Sequence, residues 1–210
     1  MRTRSKVILG VVAVALLVAI AVAASMLRRG FSAHDEPSRV EAVMARAMRH
    51  WAVPSDLRDM KNPVPLTPQI VGEGRAHFAD HCAGCHGNDG KGGGMGKQMY
   101  PKAPNMMLAA TQSLSDGELF SIIENGVRLT GMPGFGSGTA ESAHGSWGLV
   151  HFIRHLPKLT AEELAEMQKL NPKSPAEWQQ VQAEEAFLAG DGEEPAPAPV
   201  ADHASTPNQH

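Results

Sequence analysis

The chain has few aromatic residues and only two cysteines. Its 210 residues include three Trp, one Tyr and six Phe. Because such side chains supply the largest apolar anchors of an ordinary core, their scarcity suggests that something other than side chains fills the centre. The two cysteines are separated by two residues, so a disulfide between them would close almost no loop. We interpret them as present for chemistry or ligation.

The chain also lacks a strong charge of either sign. Its formal net charge is -3, and it contains no run of Lys or Arg long enough to follow a polyanion. These properties argue against a nucleic-acid-binding protein. The length predicts one domain of ordinary size with appendages.

One long hydrophobic run is present, at the N-terminal end. After the basic start MRTRSK, residues Val7 to Leu27 carry no charge until Arg28. About 21 helical residues would measure roughly 31 Å, which matches the hydrocarbon thickness of a bilayer. We favour an uncleaved transmembrane anchor over residues 1–29, with a cytoplasmic N-terminus. The alternative is a cleaved signal peptide, since Ala21-Val22-Ala23 provides a small-x-small site.

Residues 30–66 are predicted to hold a juxtamembrane helix and a proline-rich linker. Apolar residues recur at helical spacing between Pro37 and Trp51. They are Val40, Val43, Met44, Ala47, Met48 and Trp51. We favour packing of this helix against the following domain, and the alternative is that it lies on anionic lipid headgroups. The four prolines between Ala52 and Pro68 predict an extended lead-in.

Residues 67–157 are predicted to form an all-α domain of three helices. The first helix runs from Gly74 to Cys82. The second follows a capping box of Ser115 and Glu118 and ends at Asn125-Gly126. The third helix covers Ser142 to Leu156. Long loops rich in glycine and proline join them. Loops of this length in a small domain usually wrap something or carry function.

Residues 158–189 are predicted to form a C-terminal helical extension. One helix starts at Thr160 with Glu163 as its capping partner, and the other starts at Ser174 with Glu177 in the same role. Residues 190–210 are rich in Pro, Ala, Asp and Glu, a composition that predicts a disordered tail.

The most informative motif is Cys82-Ala83-Gly84-Cys85-His86. It is the attachment signature of c-type haem, in which two thiols one helical turn apart reach two vinyl groups and the next residue presents its imidazole to the iron. A thioredoxin-type dithiol would need a preceding strand, which is missing here. A zinc site would need about four ligands, so histidines would have to supply the ligands that the two cysteines do not. We favour haem.

The chain resembles the class I c-type cytochromes, and more closely the bacterial membrane-anchored members. The resemblance covers Thr67 to Leu156. Its matching pieces are the helix before CAGCHG, the YPKAPNM loop, the segment LSDGELFSIIENGVRLTGMPGF and the helix WGLVHFIRHLP. It implies the cytochrome c fold, in which three core helices and long loops wrap one covalently bound haem c. By resemblance, Cys82 and Cys85 form the thioether bonds and His86 is the proximal iron ligand.

The resemblance also implies a distal iron ligand, Met132. This residue follows His86 by 46 positions and lies between Gly131 and Pro133, which suit a stiff loop close to the ring. The other candidates are expected to pack in the core or lie on the surface. They are Met95, Met99, Met106, Met107, His144, His151 and His155.

Further roles near the haem are predicted for Pro104 and Arg128. By resemblance, the Tyr100–Pro104 loop supplies a carbonyl that accepts a hydrogen bond from His86; we expect it to be that of Pro104, with Pro101 as the fallback. Arg128 either pairs with a haem propionate or is a surface arginine. His77 and His81 are four residues apart and provide only two ligands, which makes a weak metal site.

Together these features predict an electron carrier and not an enzyme, because His and Met fill both axial positions of the iron. The expected donor is a quinol-oxidising complex or a dehydrogenase, and the expected acceptor is an oxidase or a reductase. Lys91, Lys97, Lys102 and Arg128 either steer an acidic partner or form a solvated rim. The expected location is the bacterial inner membrane with the haem domain in the periplasm, or the soluble periplasm after cleavage.

Two alternative functions stay open from the sequence. One is a haem sensor or peroxidase-like protein in which Met132 leaves the iron. The other is a cytochrome subunit of a larger dehydrogenase or oxidase complex.

Overall fold

The computed structural model describes residues 2–29, 32–173 and 175–190, and all regular secondary structure in these residues is helical. This confirms the prediction of an all-α protein. The chain divides into two compact units, one ending at Leu170 and the other beginning at Asn171.

The N-terminal part contains helices α1 (Arg2–Arg29), α2 (Arg39–Ala52) and α3 (Ser55–Arg58). Within α1, the 20 residues Lys6–Ser25 are long and apolar enough to cross a membrane. A membrane anchor and a signal sequence share these properties. Helix α2 begins where the hydroxyl of Ser38 accepts a hydrogen bond from the backbone N–H of Glu41, at 3.2 Å.

The cysteine motif lies at the end of one continuous helical segment. Helix α4 (Pro68–His77) passes into a π-helical turn (Phe78–Cys82), which passes into α5 (Ala83–His86). The predicted helix therefore exists, but it begins six residues earlier than expected. Thr67 caps it by accepting a hydrogen bond from the N–H of Ile70, and Pro68 occupies the first turn.

Two further helices complete the domain core, after the short helix α6 (Ala109–Gln112). Helix α7 (Asp116–Asn125) begins with the predicted capping box of Ser115 and Glu118 and ends at Gly126, whose φ is 66°. Helix α8 (Ala140–His155) is capped by Thr139 and so starts two residues before its predicted start.

The core is built where α4 crosses α8. A Cβ added to Gly74 would overlap the carbonyl oxygen of Gly148, so the two backbones meet there without intervening side chains. Phe78 and Phe152 pack beside this crossing with ring centroids 5.2 Å apart. Two of the few aromatic residues therefore pack beside the helix that leads into the cysteine motif.

The predicted C-terminal extension is found as two helices in different units. Helix α9 (Ala161–Leu170) has the predicted capping pair, in which the N–H of Glu163 donates to Thr160 Oγ1 at 3.2 Å. Helix α10 (Pro175–Leu188) belongs to the second unit. The predicted cap Ser174 and the predicted disordered residues 191–210 lie outside the described residues.

Candidate functional site

The two cysteines are positioned by the π-helical turn and by α5. They are three residues apart, both are free thiols, and both are partly buried. Burial, assisted by the neighbouring Cys85, raises the pKa of the Cys82 thiol to about 12. As long as it is a free thiol, Cys82 is therefore neutral at physiological pH. Helix α5 ends at Gly87, whose φ of 72° favours glycine.

His86 is buried and has an unsatisfied ring nitrogen. Its Nδ1 has no hydrogen-bond partner in the described part of the chain. Burial also lowers the pKa of this imidazole, which keeps it neutral. The ring of Phe78 lies against it, with centroids 6.4 Å apart. A neutral imidazole next to two thiols is the donor set that covalent haem attachment requires, so these residues fit the group that the motif predicts.

A glycine-rich loop folds back onto the motif. The N–H of Gly92 donates to the carbonyl of His86 at 2.8 Å, and the N–H of Gly93 donates to the carbonyl of Cys85 at 3.1 Å. A Cβ at Gly96 would overlap that same Cys85 carbonyl oxygen. The glycines are therefore needed because the loop backbone touches the motif backbone.

The proline-containing loop packs on the glycine loop. The N–H of Ala103 donates to Gly96 O at 2.9 Å, and the N–H of Met106 donates to Gly90 O at 2.7 Å. Pro104 lies between these anchor points and is exposed. The hydrogen bond from His86 Nδ1 to its carbonyl is not formed in the structure. The roles of Pro104 and of its fallback Pro101 stay predictions.

The loop that carries Met132 is anchored on the end of α7. The N–H of Val127 donates to Met132 O at 3.0 Å, and the N–H of Met132 donates to Thr130 Oγ1 at 3.1 Å. The side chain of Met132 is partly buried. Met99 packs directly on this loop, since a Cβ added to Gly131 would overlap its sulfur. The structure thus brings Met132 next to the loops that fold around the motif.

The other histidines near the domain core have partners within the protein. His151 Nε2 lies 2.8 Å from the carbonyl oxygen of Val64, and His155 Nε2 lies 3.0 Å from the carboxylate of Glu163. The rings of His77 and His81 meet edge to face at 4.9 Å. Among the described residues no group of three or more metal-ligating side chains is found. His151 and His155 are therefore engaged with backbone or carboxylate oxygens, and His77 and His81 contact each other.

The predicted cationic residues lie on the surface of the domain. Arg128 and Lys97 are exposed, Lys91 pairs with Asp89 at 3.2 Å, and Lys102 pairs with Glu36. The propionate contact of Arg128 stays a prediction.

Comparison with known families gives the class of the domain that contains this site. Residues 70–153, from α4 to α8, match a family model described as cytochrome c oxidase, cbb3-type, subunit III. The matched range contains the cysteine motif and the Met132 loop. Residues 70–153 form a class I c-type cytochrome domain. This cytochrome domain holds covalently bound haem c and takes part in electron transfer. No curated protein matches the chain.

The cytochrome domain contains close contacts that sequence reasoning did not identify. The sequence shows Gly96 and Gly131 only as glycines in loops that contain glycine. It does not show that a side chain at either position would overlap a neighbouring residue. The packing of Met99 on the Met132 loop had no sequence signal, because Met99 lies 33 residues before Met132.

Proposed function

We propose that the chain is a membrane-tethered monohaem c-type cytochrome that passes single electrons between respiratory donors and acceptors. The observation that carries the proposal is the match of residues 70–153 to a c-type cytochrome family. The buried, neutral His86 directly after two free thiols supports the same conclusion.

In this proposal each site residue has a defined task. Cys82 and Cys85 would hold the haem through thioether bonds, and His86 and Met132 would ligate its iron. The bound haem would supply a one-electron iron couple, whose reduction potential Met ligation would raise. With His86 and Met132 both engaged, the protein would leave no position for a substrate, as a carrier of single electrons requires.

Helix α1 is proposed to act as a single membrane anchor that keeps the cytochrome domain on the periplasmic side of the inner membrane. Its length, its apolar composition and the preceding basic residues support this topology. Intact mass of the purified protein tests it, because removal of α1 would leave a soluble periplasmic cytochrome.

A second candidate is a cytochrome subunit of a larger oxidase complex. It is favoured by the description of the matching family, which is a subunit of a cbb3-type oxidase. Purification in mild detergent separates the two functions, since a complex subunit would elute with stoichiometric partners and a free carrier would elute alone.

The proposed ligation is tested by the absorption spectrum of the ferric protein. We expect a low-spin spectrum with a weak sulfur-to-iron charge-transfer band, and we expect Met132→Ala to abolish that band and lower the midpoint potential. Met99→Ala is the matched control, because Met99 contacts the same loop and is expected to leave the band in place. A high-spin resting spectrum in the unmodified protein would contradict the carrier and favour the sensor or peroxidase-like alternative.

A further inference from the structure

Helix α2 presents its large apolar residues away from the protein, and only the small Ala47 on the same side is partly buried. Val40, Val43, Met44, Met48 and Trp51 are 57–77% exposed, and no residue of this helix is buried. The spacing of these five residues places them on one side of the helix. Packing of this apolar side against the domain, which the sequence favoured, is therefore not observed.

The opposite side of α2 is the side attached to the domain. His50 Nδ1 lies 2.6 Å from Glu118 Oε1 of α7, and Tyr100 donates a hydrogen bond to Glu41 at 2.5 Å. Ala42 and Arg49 are partly buried. These contacts hold the polar side of the helix against the domain. The apolar side therefore faces outward in a fixed direction.

An open groove with a volume of about 520 Å³ runs beside the apolar side. Its α2 wall carries Arg46, Ala47, Arg49, His50 and Trp51, and its other wall carries Ala109, Ala110, Ser113, Leu114 and Glu118. Its acidic lining residue, Glu118, is already engaged with His50 and Ser115. The exposed Arg39 and Arg46 make one border of the apolar side cationic, which complements anionic phosphate groups.

The position of α2 in the chain places it near the membrane when α1 is the anchor. Helix α1 ends at Arg29 and α2 begins at Arg39. The nine intervening residues span at most about 30 Å. An amphipathic helix with an apolar side, a tryptophan and arginines is the type that lies in a membrane interface.

We propose that α2 lies on the bilayer surface, with its apolar side among the lipid chains and with Arg39 and Arg46 at anionic headgroups. The proposal rests on the proposed membrane tether α1. Because the polar side of α2 is bound to Glu118 and Tyr100, this seating fixes the orientation of the cytochrome domain relative to the membrane. Helix α2 then holds the domain in a fixed orientation and is not a flexible spacer.

The test uses the full-length holoprotein in vesicles of phosphatidylethanolamine and phosphatidylglycerol. A spin label is placed on Val43→Cys or Met48→Cys, and on Ala45→Cys as the control, since Ala45 is exposed and lies outside the apolar side. We expect labels at 43 and 48 to be accessible to oxygen and protected several-fold from a water-soluble nickel chelate, relative to 45.

The outcomes distinguish a lipid surface from protein partners. Equal nickel accessibility at 43 and 45 would overturn the proposal. Protection from both oxygen and nickel would show a protein surface over α2, and spin-spin broadening would show a second copy; either result overturns it.

Charge variants test the headgroup contact. Arg46→Glu is expected to reduce the nickel protection at Val43→Cys several-fold in these vesicles, whereas Lys61→Glu, an exposed change of the same charge outside α2, is expected to leave it unchanged. The same protection in vesicles of phosphatidylcholine alone, unaffected by Arg46→Glu, would overturn the headgroup assignment.

Two controls keep this test separate from the proposed function. Labelling of the parent chain, which has only Cys82 and Cys85, would show that the haem thioethers are absent and would count against the cytochrome assignment alone. Intact mass and extraction with alkaline carbonate report on α1, so a cleaved anchor is recognised before α2 is assessed.

Discussion

At the scale of single residues, Glu118 joins parts of the chain that are distant in sequence. It accepts a hydrogen bond from the backbone N–H of Ser115 at 2.8 Å and lies 2.6 Å from Nδ1 of His50. The guanidinium of Arg58 can only donate, and it lies 3.1 Å from His50 Nε2. Nε2 must therefore be the acceptor, so the Nδ1–H of His50 donates to Glu118. The carboxylate thus links α2, α3 and α7.

This environment makes the contribution of Glu118 depend on pH. Burial by itself would raise the pKa of this carboxyl, but the hydrogen bonds from Ser115 and His50 outweigh burial and lower the pKa below its ordinary value of 4.5. A lowered folded-state pKa stabilises the protein above the unfolded-state pKa. The contribution is lost as the pH falls through the folded-state pKa.

We predict that Glu118→Gln lowers the free energy of unfolding at neutral pH by about 1–3 kcal/mol, because a buried charged acceptor is lost. The difference from the parent protein should shrink as the pH falls below 4.5 and then through the lower folded-state pKa, where the folded parent carboxyl becomes protonated. Denaturant unfolding followed by circular dichroism measures the free energy of unfolding of both proteins at each pH. Asp59→Asn removes an exposed carboxylate and is the control; a deficit in Glu118→Gln that does not change with pH would contradict the argument.

At the scale of elements, the crossing of α4 and α8 fixes the position of the cysteine motif. Gly74 and Gly148 allow the two backbones to touch, and Phe152 lies against the same point. Since α4 runs through the π-helical turn into α5, a shift of α4 is transmitted to Cys82. The contact between these two helices therefore supports the haem site.

Gly74→Ala should destabilise the holoprotein by about 1–3 kcal/mol, because the added methyl group overlaps backbone that cannot move freely. Gly72→Ala is the matched control in the same helix. An added Cβ there meets no atom within 4 Å, so we expect a gain of about 0.5–1 kcal/mol from helix propensity. Thermal unfolding measures both changes, and equal effects would contradict a tight crossing.

At the scale of the whole molecule, α9 extends the core beyond the matched cytochrome range. Met167 of α9 is completely buried and belongs to the same apolar cluster as Phe78 and Phe152. Arg75 of α4 donates to Glu163 at 3.0 Å and to Glu166 at 2.5 Å. Although α9 lies outside residues 70–153, we therefore expect it to unfold with the cytochrome domain as one cooperative unit.

Met167→Ala should lower the free energy of unfolding by about 2–5 kcal/mol while keeping a single transition, because a fully buried side chain leaves a cavity. Leu170→Ala, in the same helix but 46% exposed, is expected to cost much less. Calorimetry of the holoprotein distinguishes the two. A separate early transition, or an unchanged stability in Met167→Ala, would show that α9 is not part of the cooperative unit.

Sequence reasoning succeeded where the signal is local. The capping residues Ser115 and Thr160 start helices because their hydroxyls satisfy N–H groups only three residues away. The predicted start of α4 is six residues too late, because the prediction depends on the apolar pattern and not on the cap formed by Thr67 and Pro68. The π-helical turn was not predicted, since no sequence feature distinguishes it from an α-helix.

For this protein, the sequence alone determined the helical class, the apolar N-terminal helix, the haem motif and therefore the family of the domain, because each depends on residues close together in the chain. Only the tertiary structure decided which side of α2 faces the domain. Periodicity shows that an apolar side exists, but its direction depends on contacts such as His50 with Glu118, which are 68 residues apart. The closeness of Met99 to the Met132 loop was decided in the same way, because it depends on how two loops pack on a common core.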